Sequence, residues 1–208
     1  MKKIINRIIY ITYSILCFGV AGYAYYFLFQ PVNPDNGFQA KLLESGLEVP
    51  IHFFAGGLAL FLVPFQLSKK IRRASIITHR YIGYLYTLSI LFAGCAGLIM
   101  ATNATGGVMS MMGFGLLAIV WLFTTFKAVR HALNGEIKLH KKWIYRSIAV
   151  TSAAITLRLF LGLGLGVLQL PFLTVYVPTS WLCWIVNLII CEIILVSQQK
   201  NQKLVAVS

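Results

Sequence analysis

An all-α integral membrane bundle of six transmembrane helices, both termini cytoplasmic, is the fold class this 208-residue sequence predicts. Three observations carry it. The chain is 59% hydrophobic and only 11% charged, with a mean hydropathy of +0.80, so one water-soluble core would leave too much apolar surface facing solvent. Six apolar runs are each long enough to cross a hydrocarbon layer of about 30 Å. The basic residues fall almost entirely on alternate links between those runs.

The runs lie at about 8–30, 51–67, 80–101, 107–127, 143–167 and 179–197. Pro31, Pro34, Asp35, Asn36 and Gly37 close the first. Its apolar stretch exceeds the h-region of a cleaved secretory signal, so an uncleaved anchor is expected. Residues 31–50 leave room for one short surface helix such as Gln39–Gly46. Asn103, Gly106 and Gly107 separate the third run from the fourth, and Pro171 and Pro178 bracket the link before the sixth. Inside a bilayer each span must satisfy its own backbone groups, and no alternating strand pattern is present, so all six read as helices. The whole chain reads as a single membrane domain.

The eighteen Lys and Arg against five Asp and Glu give a net charge of +13. Lys2, Lys3 and Arg7 precede the first span. Lys69, Lys70, Arg72, Arg73 and Arg80 lie between the second and third. Lys127, Arg130, Lys138, Lys141, Lys142 and Arg146 surround the link from the fourth to the fifth, and Lys200 and Lys203 end the chain. Sixteen of the eighteen cations thus share one side, while Lys41 lies opposite beside Asp35, Glu44 and Glu48. That bias predicts cytoplasmic termini, and it makes anionic lipid headgroups at the cytoplasmic face the expected partner, with no nucleic acid.

Several chemistries are disfavoured by spacing. Cys17, Cys95, Cys183 and Cys191 all lie in apolar runs without CxxC spacing, so they read as buried hydrophobes and not as a metal site. Gly162, Gly164 and Gly166 form a GxGxG string with no βαβ context, which reads as close helix packing or a loosened helix end. Asn103-Ala104-Thr105 is a glycosylation sequon only by pattern. No Ser/His/acid set or HExxH string is present, and no catalytic residue is assigned.

Polar residues inside the spans are the candidates for function, because an ionisable group there needs a partner or a purpose. Arg158 lies about 22 Å into the fifth span at 1.5 Å per residue, at the end of a stripe Ser147, Thr151, Ala154, Arg158. It is expected either to bond backbone carbonyls or to line a polar cavity. The second span carries a matching stripe, His52, Gly56, Ala59, Val63, Gln66. Asn187 falls near mid-membrane. Glu192 lies roughly 9 Å from the cytoplasmic boundary, where only Arg146 or Arg80 can reach it, and it reads as a protonated acid.

Three histidines gather at the cytoplasmic edge. His79 opens the third span, His131 closes the fourth and His140 precedes the fifth. Interfacial anchoring explains them in the plainest way. The sharper reading is a b-type haem held by His79 and His140, with Gly83 leaving room and Arg80 and Arg146 near the propionates.

The spaced motifs His52…Gly56…Pro64-Phe65-Gln66, His79-Arg80-x-x-Gly83-x-x-Tyr86 and His140-x-x-Trp143-x-x-Arg146 continue into Thr156-Leu157-Arg158 and Trp181-Leu182-Cys183-Trp184…Asn187…Glu192. Together, over about residues 50 to 195, they resemble the predicted membrane proteins called domain of unknown function 2306. The resemblance implies a bacterial-type multi-pass protein and marks His52, His79, His140, Arg146, Arg158 and Glu192 for testing. His131 falls outside its pattern, and Lys141 and Ile144 stand where Arg and Met are usual. It implies no activity. The expectation is a multi-pass protein of the cell membrane, the bacterial inner membrane above others, more readily non-enzymatic than catalytic. The alternatives are a haem-binding redox protein, and a transporter or sensor with a polar intramembrane cavity at Arg158, Glu192 and His52. A structural or assembly role beside an unidentified membrane protein also fits.

Overall fold

The computed structural model describes residues 2–31 and 45–207, so the surface helix expected near Gln39–Gly46 falls largely outside the described residues. Every described element is helical, and six helices are long and apolar enough to cross a membrane by length and composition. They run Ile4–Phe29, Glu48–Leu67, Ile76–Thr102, Val108–Leu133, Ile137–Val167 and Phe172–Lys200. Each overlaps one of the six apolar runs. The chain divides into two compact units, Met1–Ala104 and Thr105–Ser208.

The first unit contains α1 (Lys2–Phe29), α2 (Glu48–Leu67), the short α3 (Lys69–Ala74) and α4 (Ile76–Thr102). The central helix is α2, which packs against both α1 and α4. Its stripe behaves as the spacing predicts: Ala59 and Val63 are fully enclosed and Gln66 is buried. Phe18 of α1 meets Phe61 and Phe65 of α2 at ring-centroid distances of 5.2 and 5.9 Å. Pro64 lies in the last turn of α2, where the backbone carbonyls run out of helical donors. The Tyr10 hydroxyl donates to the Pro64 carbonyl at 2.9 Å, and the Ser68 amide donates to the Phe65 carbonyl at 3.2 Å. Two serines then restart the chain. Ser68 Oγ accepts from the Ile71 amide at the start of α3, and Ser75 Oγ accepts from the Thr78 amide at the start of α4.

The second unit contains α5 (Val108–Leu133), α6 (Ile137–Thr151), α7 (Ala153–Leu161), a π-helical segment Gly162–Val167 and α8 (Phe172–Val207). Gly106 at φ +95° begins it, and a Cβ there would meet Val177 Cγ2 at 2.7 Å, so glycine is required by both conformation and space. The fifth span is not one continuous helix. It is interrupted at Ser152, the central residue of Ile137–Val167. Its buried stripe therefore shifts: Ser147 and Thr151 are enclosed as predicted, but beyond the interruption Ala153 and Ile155 are buried in place of Ala154.

Two boundaries need correction. His140 is the fourth residue of α6 and does not precede the span, because that helix begins at Ile137. Pro178 does not bracket the final link; it lies inside α8, which starts directly after Pro171. A proline removes one backbone donor, and membrane helices tolerate this where nearby hydroxyls add bonds to the backbone. Thr179 Oγ1 and Ser180 Oγ do so here, donating to the Val175 and Val177 carbonyls.

Large apolar side chains remain exposed along all six helices, among them Ile8, Phe54, Phe92, Ile119, Leu159 and Ile193. In water that surface would drive aggregation, and in a bilayer it is the lipid contact.

Candidate functional site: the polar seam of the second unit

Among the described residues, four side-chain pairs link the helices of the second unit through polar contacts. At one end, Arg146 on α6 grips Glu192 on α8 with both arms of its guanidinium: Nε to Oε1 at 2.5 Å and Nη2 to Oε2 at 2.9 Å. The Arg146 guanidinium also lies over the Trp143 ring, 4.6 Å from its centroid and one turn away on the same helix. Trp143 in turn meets Phe123 of α5 edge-on at 5.6 Å. The two-armed geometry suits an ionised carboxylate, so an ion pair replaces the protonated Glu192 expected from the sequence. Of the two cations within reach of its depth, Arg146 is the partner.

The next layers join α5 to α6. Thr125 and Ser147 hydroxyls share a bond at 2.7 Å, and Trp121 Nε1 donates to Thr151 Oγ1 at 2.8 Å. The Thr151 hydroxyl donates its own hydrogen bond to the Ser147 carbonyl, and Thr125 donates to the Trp121 carbonyl. These groups are buried and satisfied, which is what makes them tolerable inside a span.

Beyond the interruption at Ser152 the seam crosses to α8. Thr156 Oγ1 donates to Asn187 Oδ1 at 2.9 Å. Asn187 stands one residue past the centre of the sixth span, Phe172–Lys200. Its Nδ2 is buried and has no hydrogen-bond acceptor. A carboxamide carries two donors and one acceptor, so this site uses the acceptor and leaves the donors unfilled. Ala153, Cys183 and Trp184 form the apolar packing around it, with Leu157 and Leu188 against them.

Arg158 donates from Nη1 to the Ala154 carbonyl of its own helix at 2.8 Å, the carbonyl bonding that the sequence left as one of two alternatives. One turn on, the glycine string becomes the π-helical segment. Gly164 is pressed so closely to Val175 of α8 that a Cβ would lie 2.5 Å from Val175 Cγ1. The segment closes through the Leu168 and Leu170 amides on the Leu163 and Gly164 carbonyls, with Gln169 in the left-handed conformation at φ 51°. Close packing holds for Gly164 alone, since a Cβ at Gly162 or Gly166 would meet nothing within 4 Å, and the string as a whole forms the loosened helix end.

The remaining candidates are placed as follows. His52, in the second turn of α2, bonds the Ala93 carbonyl of α4 through Nδ1 at 2.8 Å. Gln66 Nε2 donates to the His79 carbonyl at 3.3 Å and lies close to Gly83. Arg80 is exposed. His79 and Arg80 belong to the first unit, whereas His140 and Arg146 belong to the second. His140 Nδ1 bonds the Ala128 carbonyl at 2.8 Å. A carbonyl oxygen only accepts, so Nδ1 carries a hydrogen, and Nε2 is the ring nitrogen left to meet a ligand. His131 bonds Glu136 across the turn between α5 and α6 at 2.6 Å. That contact holds the Glu136 carboxyl below the usual carboxylate range, the His131 hydrogen bond being the largest cause. Among the described residues no group of three or more His, Cys, Asp or Glu comes together.

Thr156, Thr125, Trp121 and Trp143 belong to the seam but were not singled out as site residues. Only Trp143 carries a signal in the sequence, one turn before Ser147 on the stripe of the fifth span; Trp121 and Thr125 of the fourth span lie on no such stripe.

A family model described as a predicted membrane protein (DUF2306) matches residues 49–195. The chain belongs to this family. The matched region of this DUF2306 protein includes every candidate residue from His52 to Glu192 and leaves α1 outside it. No curated protein and no solved structure matches the chain.

Proposed function

We propose that this DUF2306 protein is a non-enzymatic multi-pass protein of a bacterial cell membrane, with both termini cytoplasmic. Its second unit binds a small polar solute at the interrupted fifth span, as a transporter or sensor does. The orientation rests on the sixteen cations that share one side of the predicted topology. The solute site rests on one observation above the rest: the buried Asn187 Nδ2, without an acceptor, near the middle of the sixth span. A buried donor left unfilled costs roughly 1–3 kcal/mol, and an acceptor atom on a bound solute removes that cost. The Arg146–Glu192 pair then has a positioning role, holding α6 to α8 on one side of the site.

The test is a thermal-stability screen of the detergent-purified protein against small solutes bearing hydrogen-bond acceptors, repeated with Asn187→Leu. The reading expects a class of solutes that raises Tm in the native protein and loses that effect in the variant. A screen in which no solute raises Tm, or one whose effect survives the variant unchanged, overturns it.

One observation favours a second reading. His140, with its hydrogen fixed on Nδ1 by the Ala128 carbonyl, presents Nε2 in the manner of metal-ligating histidines. Haem b with His140 as an axial ligand predicts a Soret band in protein purified from haem-replete cells, lost in His140→Ala. A colourless preparation contradicts it.

A further inference from the structure

The short helix α3, Lys69–Ala74, carries four cations in six residues. Lys69, Lys70, Arg72 and Arg73 are all exposed, as is Arg80 in the second turn of α4. On a helical wheel at about 100° per residue the four cations of α3 occupy one arc, and Ile71 lies opposite. Lys69 stands three residues from Arg72 and four from Arg73, spacings at which like charges repel. Among the described residues no ion pair offsets this. The two ion pairs among the described residues, His131–Glu136 and Arg146–Glu192, both belong to the second unit. Glu48 begins α2 at its far end, about 30 Å away over a 20-residue helix.

The cluster is nevertheless ordered. Ser68 Oγ caps the start of α3, Ser75 closes its end by donating its amide to the Ile71 carbonyl, and the Ser75 hydroxyl caps α4. A self-repelling basic turn held rigid at both ends is a preformed surface for an external polyanion. Its neighbours indicate which kind. Ile76 and Ile77 are exposed just beyond the cations, and Tyr81 and Tyr84 follow one to two turns into the span. Apolar side chains and tyrosines beside lysine and arginine mark headgroup level. We propose that α3 is a docking element for anionic lipid, favouring a headgroup with two phosphates over one with a single charge.

The experiment uses the full-length protein in detergent, with bound lipid counted by native mass spectrometry. The probes are cardiolipin, singly charged phosphatidylglycerol, phosphatidylcholine and inorganic pyrophosphate, and Arg72→Gln/Arg73→Gln is compared with Lys138→Gln/Lys141→Gln. All four positions are exposed, so neither variant threatens folding. Cardiolipin is expected to bind in preference to phosphatidylglycerol and both in preference to phosphatidylcholine, and equal binding of cardiolipin and phosphatidylglycerol overturns the two-phosphate preference. Each cation removed from α3 is expected to weaken it about fivefold, so about 25-fold for the double variant. The proposal fails if phosphatidylcholine binds equally, which would make the contact apolar. It fails if pyrophosphate competes at matched concentration, which would make a soluble phosphate the ligand. It also fails if the Lys138/Lys141 variant loses as much as the Arg72/Arg73 variant, which would make the attraction a diffuse field.

Discussion

Replacing Glu192 with leucine removes the carboxylate from Arg146 and leaves a guanidinium in the fifth span with both of its charge-assisted bonds broken. Breaking a fully buried pair from one side costs about 3–5 kcal/mol, whereas a surface pair is worth at most about 1 kcal/mol. The Arg146 and Glu192 side chains are 23% and 46% exposed, so the contact falls between these limits, at about 2 kcal/mol. For a chain of this length that corresponds to a fall in Tm of about 4–8 °C. Arg146→Leu should cost a similar amount, with added loss from its stacking on Trp143. The double variant Glu192→Leu/Arg146→Leu places two apolar side chains where two charges stood, and such replacements are often close to neutral. It should therefore recover most of the lost stability, with a coupling of about 1–3 kcal/mol between the two positions. The assay is thermal denaturation in one detergent across the four proteins of the cycle. Additive losses, with the double variant as unstable as the sum of the singles, would mean that Arg146 and Glu192 contribute independently and not as a pair.

Two other perturbations address the second unit at different places. Gly164→Ala puts a methyl within 2.5 Å of Val175 Cγ1, and such overpacking costs about 1–3 kcal/mol; Val175→Ala in the same chain should restore part of the lost Tm, and an unchanged Tm in the single variant would contradict the close contact. Glu136 has a depressed folded pKa through His131, so its contribution is present above the ordinary carboxylate pKa and is lost as pH falls through the folded value. Native protein and Glu136→Gln should accordingly differ in Tm at neutral pH and converge in acid below the usual carboxylate range, whereas a difference that persists or widens there would exclude this linkage.

The spans themselves were legible because hydropathy and charge act over whole segments, and a run of about 20 apolar residues has few alternatives. Local boundaries were harder. Pro178 reads as a break because its missing donor would end a helix in water, but the surrounding α8 absorbs it. The interruption at Ser152 gives the opposite error, since neither glycine nor proline marks it. There the Ile155 and Thr156 amides both turn to the Ser152 carbonyl, a local tightening of the turn. The glycine string was easier, since Gly164 must admit Val175 from another helix and small residues at that spacing announce it. For the polar residues, depth narrowed the partner of Glu192 to two cations but could not choose between them across 46 positions. Thr156 and Asn187 are similarly distant in sequence, and only the fold brings them together.

A seam around Asn187 that is a polar site open to a solute makes position 187 accessible to a water-soluble thiol reagent once it carries a cysteine. In a background with the native cysteines replaced, Asn187→Cys and Ile189→Cys are compared, the second being an exposed apolar position on the same helix. A small water-soluble thiol reagent applied to membrane vesicles should label the cysteine at 187 and spare the one at 189. Equal resistance at both positions would mean that the middle of the sixth span is dry, and would contradict the claim.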